Sequence, residues 1–367
     1  MFDPQFRITP PIAKALMQIE SCKSAIESLP LSVPMLESLQ RTARLLATHF
    51  STQIEGNKLT PAEVGAVLAG GGRFPGRERD EAEVRCYHEA LQFVLEEGRQ
   101  AGPITETAIR RIHGCVMTGK KRATPYRDGQ NVIRNGRTGG MVYLPPEAAD
   151  VPKLMQSLTA WLAIQMRQQE LPTPLIAALA HYQFATIHPY FDGNGRTARL
   201  LTTLILHRGG YGLHGIYSLE EYYAQHLDGY YAALSIGKSH NYYMGRAEAD
   251  ITPFVRYFCE GMAESFQAVR RQAEAAGLRG DQDESLALRE LTAQQRAVLS
   301  LFRHSKTAAA ADIAAFFGIT SRAASYLCSR WVADQFFVVT DPSRKRRRYA
   351  LSPRWEPLGA GYGRREK

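Results

Sequence analysis

Cysteine is scarce in this 367-residue sequence, and no Cys-x-x-Cys pair occurs in it. The five cysteines lie far apart in the chain, at Cys22, Cys86, Cys115, Cys259 and Cys328. An odd and scattered set argues against a disulfide framework and against a cysteine-based zinc site. We therefore expect reduced structural thiols and a cytoplasmic protein.

Long apolar runs are absent as well. No stretch reaches the ~18 apolar residues that a membrane-spanning helix needs, and the first residues lack the basic segment and apolar core of a secretion signal. The full P-loop pattern, Gly-x-x-x-x-Gly-Lys-Ser/Thr, is also missing. Hydrophobic residues at 44% and charged residues at 22% are ordinary for a soluble globular protein, so we expect no membrane partner.

One segment carries most of the chemistry: His-Pro-Tyr-Phe-Asp-Gly-Asn-Gly-Arg-Thr-Ala-Arg at residues 188–199. The apolar, alanine-rich stretch from Leu175 to Ile187 predicts a buried helix that delivers His188 at its C-terminal end. Pro189 disfavours a helical conformation in the residue before it, so we expect the helix to end there. The apolar residues from Leu200 onward predict a second helix.

The loop between these helices has the features of an anion site. Gly193 and Gly195 allow backbone amides to approach a ligand closely and can adopt positive φ. The loop leads into a helix N-terminus, where free N–H groups and the helix dipole favour an anion. Arg196 and Arg199 lie on one face of the first turn, and their guanidinium groups suit phosphate oxygens. Asp192 could hold Mg²⁺ together with those phosphates.

The segment resembles the signature of the Fic family, His-Pro-Phe-x-Asp/Glu-Gly-Asn-Gly-Arg-x-x-Arg. Tyr190 departs from it, since the family usually has phenylalanine there. The resemblance implies a helical core that transfers AMP from Mg-ATP to a Ser, Thr or Tyr hydroxyl of a target protein or of itself. It implies the following roles: general base for His188, Mg²⁺ ligand for Asp192, anion nest for Gly193, Asn194 and Gly195, and binding of the outer phosphates for Arg196 and Arg199.

A second motif lies upstream, Ser-Thr-Gln-Ile-Glu-Gly-Asn at residues 51–57. An apolar stripe before it predicts an amphipathic helix that ends near Gly56. Glu55 is unfavourable at a helix C-terminus, and such a broken rule often marks function. The motif resembles the family's inhibitory signature, Ser/Thr-x-x-x-Glu-Gly/Asn, which begins here at Ser51. The resemblance implies that Glu55 pairs with Arg199 and obstructs the seat of the γ-phosphate.

Residues 126–146 read as a hairpin around the turn sequence Asn-Gly-Arg-Thr-Gly-Gly. Its position resembles the family's flap, which aligns a target's backbone by strand-like pairing. Val132, Ile133 and Val142 would then contact the target. Tyr230 and Tyr231 resemble a tyrosine pair that lies near the nucleotide in relatives, and the neighbouring Tyr222–Tyr223 pair is a competing alignment.

The C-terminal part reads as a separate unit. A linker is expected at residues 274–287, and a capping-box signature at Thr292 and Gln295 opens a first helix. A helix at residues 308–317 is expected to stop at Gly318, and Thr320 can cap the next helix, which starts at residue 321. With the strands expected at 336–340 and 347–351, this order resembles a winged helix-turn-helix. Basic residues cluster in the wing of a chain with a net charge of +9. Arg322, Arg346 and Arg347 are the candidates for contacting DNA.

The predicted fold class is thus mainly α, with a Fic-type helical core, a β-hairpin flap and a small C-terminal winged-helix domain. The expected boundaries are an N-terminal helical region at 1–100, a catalytic core at 101–273, the linker at 274–287, the winged helix at 288–355 and a basic tail at 356–367.

Several functions remain open at this point. The same site could also remove AMP, with Glu55 orienting a water, or use another nucleotide or phosphocholine as the donor. A hypothesis from a different class is a DNA-binding regulator whose Fic core senses nucleotide without turnover. The target protein and the type of acceptor hydroxyl stay unassigned, and a homodimer is the common default.

Overall fold

The computed structural model describes residues 2–134, 140–237, 239–279, 290–303, 305–343 and 347–359. Helices dominate these residues and the strands form two small sheets, which confirms the mainly α fold class. The chain divides into two compact units. The first comprises residues 1–22, 42–98 and 102–267, and the second comprises residues 23–41, 99–101 and 268–367. Within the described ranges, no helix has both the length and the apolarity to cross a membrane.

The helices up to residue 279 are α1 (Pro10–Ser28), α2 (Val33–Ile54), α3 (Pro61–Leu68), α4 (Glu78–Glu97), α5 (Glu106–Thr118), α6 (Val151–Gln168), α7 (Thr173–Ile187), α8 (Asn194–Arg208), α9 (Glu220–Gln225), α10 (Leu227–Leu234) and α11 (Thr252–Arg279). Two strands, β1 (Ile133–Arg134) and β2 (Met141–Tyr143), lie between α5 and α6. Short 3₁₀ or π turns cover Ala148–Asp150, Leu213–Gly215 and Tyr242–Arg246.

Helix α7 is buried on nearly every side and lies at the centre of the first unit. It packs against α6 and α8, while α4 packs against α5 and α8. This confirms the helix predicted from Leu175 to Ile187, which starts slightly earlier because Pro174 is well suited to a first helical turn. The core therefore fixes the end of α7 and the start of α8, and the loop between them is held at both ends.

The predicted hairpin forms an antiparallel pair in which Ile133 faces Tyr143 and Arg134 faces Met141, with a bulge between the two pairs. Val132 precedes the strand and does not belong to it. The turn at residues 135–139 lies outside the described residues.

The second unit contains α12 (Ala293–Val298), a 3₁₀ turn at Leu299–Arg303, β3 (Ala308–Ala309), α13 (Ala310–Phe317), α14 (Ser321–Ala333), β4 (Phe337–Asp341), β5 (Arg348–Leu351) and α15 (Glu356–Gly359). Its three-stranded sheet has the order β3-β5-β4. The core is aromatic, and Trp331, Phe336 and Phe337 are at most 1% exposed.

Several local predictions hold in this unit. Thr292 and Gln295 form the predicted capping box of α12, and Thr320 caps α14 by accepting from the amide of Ala323. Gly318 ends α13 in the left-handed conformation.

Two sequence predictions for the C-terminal part are wrong in detail. Residues 308–309 were expected to be helical, but they form β3 because they pair with Tyr349 and Arg348 of β5. The linker was expected to start at residue 274, but α11 continues to Arg279. Its helix-favouring residues and the ion pair between Arg270 and Glu274, 2.7 Å long, support this extension.

Candidate active site

His188 lies directly after α7 in the left-handed conformation, with φ 49° and ψ 61°. The sequence predicts the break correctly, although the residue before a proline is more often extended. The Nδ1 atom of His188 lies 3.4 Å from the carbonyl oxygen of Ala185. Because a carbonyl only accepts, Nδ1 carries the hydrogen in this contact and Nε2 keeps a lone pair. Burial lowers the pKa of His188 from 6.5 to about 4, so the imidazole is neutral at pH 7 and can accept a proton.

The loop after His188 is closed by the side chain of Asn194. Its Oδ1 accepts from the amide of Tyr190 at 3.0 Å, and its Nδ2 donates to the carbonyl of the same residue at 2.7 Å. Asn194 is 3% exposed. Its amide group therefore holds the shape of the loop, and only its backbone is available for the predicted anion nest.

The two glycines of the loop serve different purposes. Gly193 has φ 75°, and a Cβ there would lie 2.8 Å from the Sδ of Met117, so both conformation and space require glycine. Gly195 is helical, which corrects the expectation of a positive φ at this position. A Cβ at Gly195 would lie 2.3 Å from the Oε1 of Glu55, so a larger residue there would displace the end of this side chain.

The sequence analysis does not identify His113 of α5, whose side chain contacts two residues of the loop between α7 and α8. Its ring stacks on that of Tyr190 with centroids 3.5 Å apart, and its Nε2 lies 2.9 Å from the carbonyl oxygen of Asp192. Nε2 therefore donates, and Nδ1 accepts from the hydroxyl of Thr124 at 2.7 Å. Burial lowers the pKa of His113 to about 4, which agrees with a neutral ring. In the sequence, a lone histidine on an apolar helix gives no sign of this contact.

Arg196 is buried and bridges two carboxylates. Its Nη1 lies 2.5 Å from the Oε1 of Glu83 on α4, and its Nη2 lies 3.0 Å from the Oδ1 of Asp192. Asp192 also accepts from the amide of Gly193 at 2.6 Å. Its side chain is 58% exposed, so Asp192 is the accessible carboxylate of this pair.

Arg199, whose side chain is 1% exposed, points to the end of α2. Its Nε donates to the hydroxyl of Ser51 at 2.8 Å, and its Nη2 donates to the carbonyl of Ser51 at 2.8 Å. Nη2 also donates to the Oε1 of Glu55 at 2.9 Å. The contact implied by the second motif is therefore present. Glu55 follows the last residue of α2, as predicted, and Gly56 has φ 97°.

The two tyrosines of the predicted pair differ in exposure. Tyr230 is buried, and its hydroxyl lies 2.8 Å from the Nε2 of His181. Tyr223, from the competing pair, stacks on Tyr230 with ring centroids 5.1 Å apart. Tyr231 is 48% exposed and is the member of the pair that a ligand can reach. Both Tyr230 and Tyr231 lie within electrostatic range of Glu55 and Arg199.

The flap residues Val132, Ile133 and Val142 are half-buried. In the second unit, Arg322 and Arg347 are exposed, whereas Arg346 lies outside the described residues. Target docking by the flap residues and DNA contact by the arginines therefore remain predictions.

Comparison with known proteins supports the assignment of the core. The model of the Fic/DOC family matches residues 103–206. The proteins named "Protein adenylyltransferase Fic" from Drosophila erecta and Drosophila melanogaster are each 29% identical over 248 residues, which is 67% of this chain and 46% of theirs. The chain thus spans about half the length of these curated relatives.

Solved structures show the same fold. A Fic family protein from Desulfovibrio desulfuricans matches with a TM-score of 0.59 and 24% identity, covering 99% of this chain and 100% of its own. Fic-1 from C. elegans matches with a TM-score of 0.55 and 25% identity, covering 72% of this chain and 73% of its own. The helical fold of this chain is thus shared with solved structures of Fic proteins. The chain therefore contains a Fic domain, matched at residues 103–206.

Proposed function

We propose that this protein is an auto-inhibited protein adenylyltransferase, which transfers AMP from Mg-ATP to a hydroxyl of a target protein or of itself. One observation carries the proposal. A single loop brings together a neutral histidine, an exposed carboxylate, a helix N-terminus and two buried arginines. The activity in the names of the Drosophila relatives supports the same reaction.

In this proposal His188 is the general base. With Nδ1 held by the carbonyl of Ala185, Nε2 accepts the proton of the acceptor hydroxyl. That oxygen forms a bond to the α-phosphorus of ATP, and the bond from the α-phosphorus to the bridging oxygen of pyrophosphate breaks. The N-terminus of α8 and the two arginines stabilise the charge on the phosphates.

The residues present fit Mg²⁺ bound with a nucleotide. Within the described ranges, no group of three or more acidic, histidine or cysteine side chains could hold a metal alone. Mg²⁺ usually takes one or two carboxylates and completes its shell with substrate phosphates and water. The exposed carboxylate of Asp192 would hold it, and the ion would neutralise phosphate charge.

The contact between Glu55 and Arg199 supports the auto-inhibition. While Arg199 donates to Glu55 and Ser51, the γ-phosphate of ATP has to compete for the guanidinium group. A charge-assisted hydrogen bond contributes about 1.5–3 kcal/mol, so removal of Glu55 should improve productive ATP binding about ten- to a hundredfold. Removal of AMP by a water that Glu55 orients would use the same groups.

The test is transfer of label from α-labelled ATP to protein in the presence of Mg²⁺. Glu55→Gly should become labelled more strongly than wild type, and His188→Ala/Glu55→Gly should lose the label. Glu96→Gly is a matched control, because it removes an exposed carboxylate that pairs with Lys121 at 2.7 Å. Equal labelling of wild type and Glu55→Gly would contradict the auto-inhibition. Absence of label in every variant, with ATP still bound, would contradict the transferase.

The second unit supports a further role in binding DNA. Its helices and three-stranded sheet follow the order of a winged helix-turn-helix, with Arg322, Ser325 and Arg330 exposed on α14. The alternative function, a DNA-binding regulator whose Fic core senses nucleotide without turnover, rests on this surface. An electrophoretic shift that collapses with salt, together with ATP binding but no label transfer, would favour this alternative.

A further inference from the structure

Arg196 has two carboxylate partners that differ in burial. The side chain of Glu83 is 13% exposed and that of Asp192 is 58% exposed, while Arg196 itself is 7% exposed. Glu83 contacts Nη1, whereas Asp192 contacts Nη2. A buried ion pair is costly to break, because the partner left behind is an uncompensated charge. An exposed pair is worth little and exchanges readily.

Glu83 is fixed from its other side by Asn57. The Nδ2 atom of Asn57 donates to the Oε2 of Glu83 at 2.9 Å and to the carbonyl of Asp80 at 3.0 Å. The Oδ1 atom of Asn57 accepts from the amide of Leu59 at 3.1 Å. Both oxygens of the Glu83 carboxylate are therefore engaged, and the residue that holds it is itself held by backbone groups.

The remaining edge of Arg196 is the one that suits a phosphate. In a guanidinium group, Nε and Nη2 form a fork that can donate two parallel hydrogen bonds to one anion. The Nε atom of Arg196 is buried and has no hydrogen-bond partner within the described residues. Nη2 is occupied by the exposed Asp192. When Asp192 turns to a metal ion, the whole fork becomes available while Nη1 stays on Glu83.

We propose that Glu83 is the positioning residue of Arg196, holding Nη1 so that the fork of Nε and Nη2 faces a nucleotide phosphate. The inference rests on the proposed nucleotide transfer and adds a residue outside both sequence motifs. Asn57, which holds Glu83, lies two residues after Glu55 in the same segment. The residues on either side of Gly56 therefore act on different arginines. Glu55 competes for Arg199, whereas Asn57 and Glu83 keep Arg196 in place.

The opposite role would make Glu83 a second inhibitory residue that withholds Arg196 from the phosphate. The two roles predict opposite signs. A positioning residue raises activity, so its loss weakens nucleotide binding, whereas loss of an inhibitory residue strengthens it. The burial of Glu83 and its contact outside the fork favour positioning.

The experiment compares Glu83→Ala and Glu83→Asp with Glu97→Ala, each combined with Glu55→Gly. Glu97 is a matched control, because it makes another ion pair between α4 and α8, with Arg208 at 3.5 Å and side chains 17% and 8% exposed. We expect Glu83→Ala to raise the KM for ATP about tenfold or more. We expect a smaller change in kcat, partial recovery in Glu83→Asp and little change in Glu97→Ala.

Equilibrium binding of ATP with Mg²⁺ to the same variants separates this proposal from the proposed reaction. Weaker binding by Glu83→Ala, but not by Glu97→Ala, supports the positioning role even if no variant transfers label. Tighter binding or faster transfer by Glu83→Ala would make Glu83 inhibitory and overturn the proposal. Equal losses in Glu83→Ala and Glu97→Ala would reduce the role to joining α4 to α8, and they would overturn it as well.

Discussion

The Nε atom of Arg127 donates a hydrogen bond of 3.0 Å to the carbonyl oxygen of His188. The same guanidinium group donates to the carbonyls of Gly129, at 3.0 Å, and Pro146. Arg127 is 4% exposed. It therefore joins both ends of the flap segment to a histidine whose left-handed backbone costs about 1–2 kcal/mol. Neither sequence motif includes it.

Replacement of Arg127 by glutamine should destabilise the protein by about 2–4 kcal/mol, because three carbonyls lose a charged donor in a buried place. Label transfer in the Glu55→Gly background should fall with it, since His188 loses its support. Urea unfolding and the labelling assay measure the two effects. Arg7→Gln is the control: its ion pair with Asp250 has side chains 83% and 47% exposed, so stability should hardly change. Equal stability of both variants would contradict the support assigned to Arg127.

The two loop glycines should respond differently to alanine. Gly193→Ala should lower the free energy of unfolding by about 2 kcal/mol, because a positive φ and the contact with Met117 both oppose a Cβ. Gly195→Ala should change it by less than about 1 kcal/mol, since the residue is helical and the atom displaced is the end of the flexible Glu55 side chain. Urea unfolding of the two variants compares these values. A larger loss in Gly195→Ala would show that Glu55 is held more firmly than this geometry indicates.

Stability should depend on pH through His181. This histidine is fully buried between the hydroxyls of Thr202 and Tyr230, each at 2.8 Å, and burial lowers its pKa from 6.5 to about 3. The unfolded chain therefore binds one more proton than the folded chain between these values. The stability that this neutral ring contributes is complete above pH 6.5 and declines as the pH falls toward 3.

Replacement of His181 by asparagine should make this decline shallower by about 1.4 kcal/mol per pH unit between pH 6 and 4.5. Urea unfolding at several pH values gives the slope. Thr202→Val separates packing from titration, because it removes a hydrogen bond but keeps the imidazole; it should lower stability and retain the slope. Parallel pH profiles for wild type and His181→Asn would contradict the prediction.

The proposed DNA binding by the second unit should depend on Arg322 and Arg347. Each substitution by alanine should weaken binding of a DNA duplex and reduce the slope of log affinity against log salt by about one. Electrophoretic shifts at several salt concentrations measure this slope. Arg256→Ala removes an exposed arginine of α11, 56% exposed and paired with Glu260, and should leave the slope unchanged. An equal loss of DNA affinity in all three variants would show that binding depends on the net charge of the protein and not on a defined surface of the second unit.

Local sequence signals predict several features of the molecule correctly. Pro189 marks the end of α7, Thr292 with Gln295 marks the start of α12, and Gly318 marks the end of α13. Each signal acts within a few residues, where backbone conformation and capping decide the outcome. The resemblance between the 51–57 segment and a known motif also leads to the contact of Glu55 with Arg199.

The supporting residues of the site could not be predicted in this way. Glu83, His113 and Arg127 reach the loop from distant parts of the sequence, and each looks locally like an ordinary helix or loop residue. The strand at Ala308–Ala309 could not be predicted for the same reason, because those alanines are extended only through their pairing with the distant β5. Such features depend on the tertiary fold and leave no periodic pattern in the sequence.

The hydrogen bonds that Arg199 makes to Ser51 and Glu55 have a consequence for how the protein responds to its surroundings. Under the proposed function, only molecules whose Arg199 has left Glu55 bind nucleotide productively, and the apparent affinity falls in proportion to their population. Occupancy then rises over a concentration range set by that population. The end of α2 would thereby keep the activity low at low ATP concentration and let it rise as the ATP concentration increases.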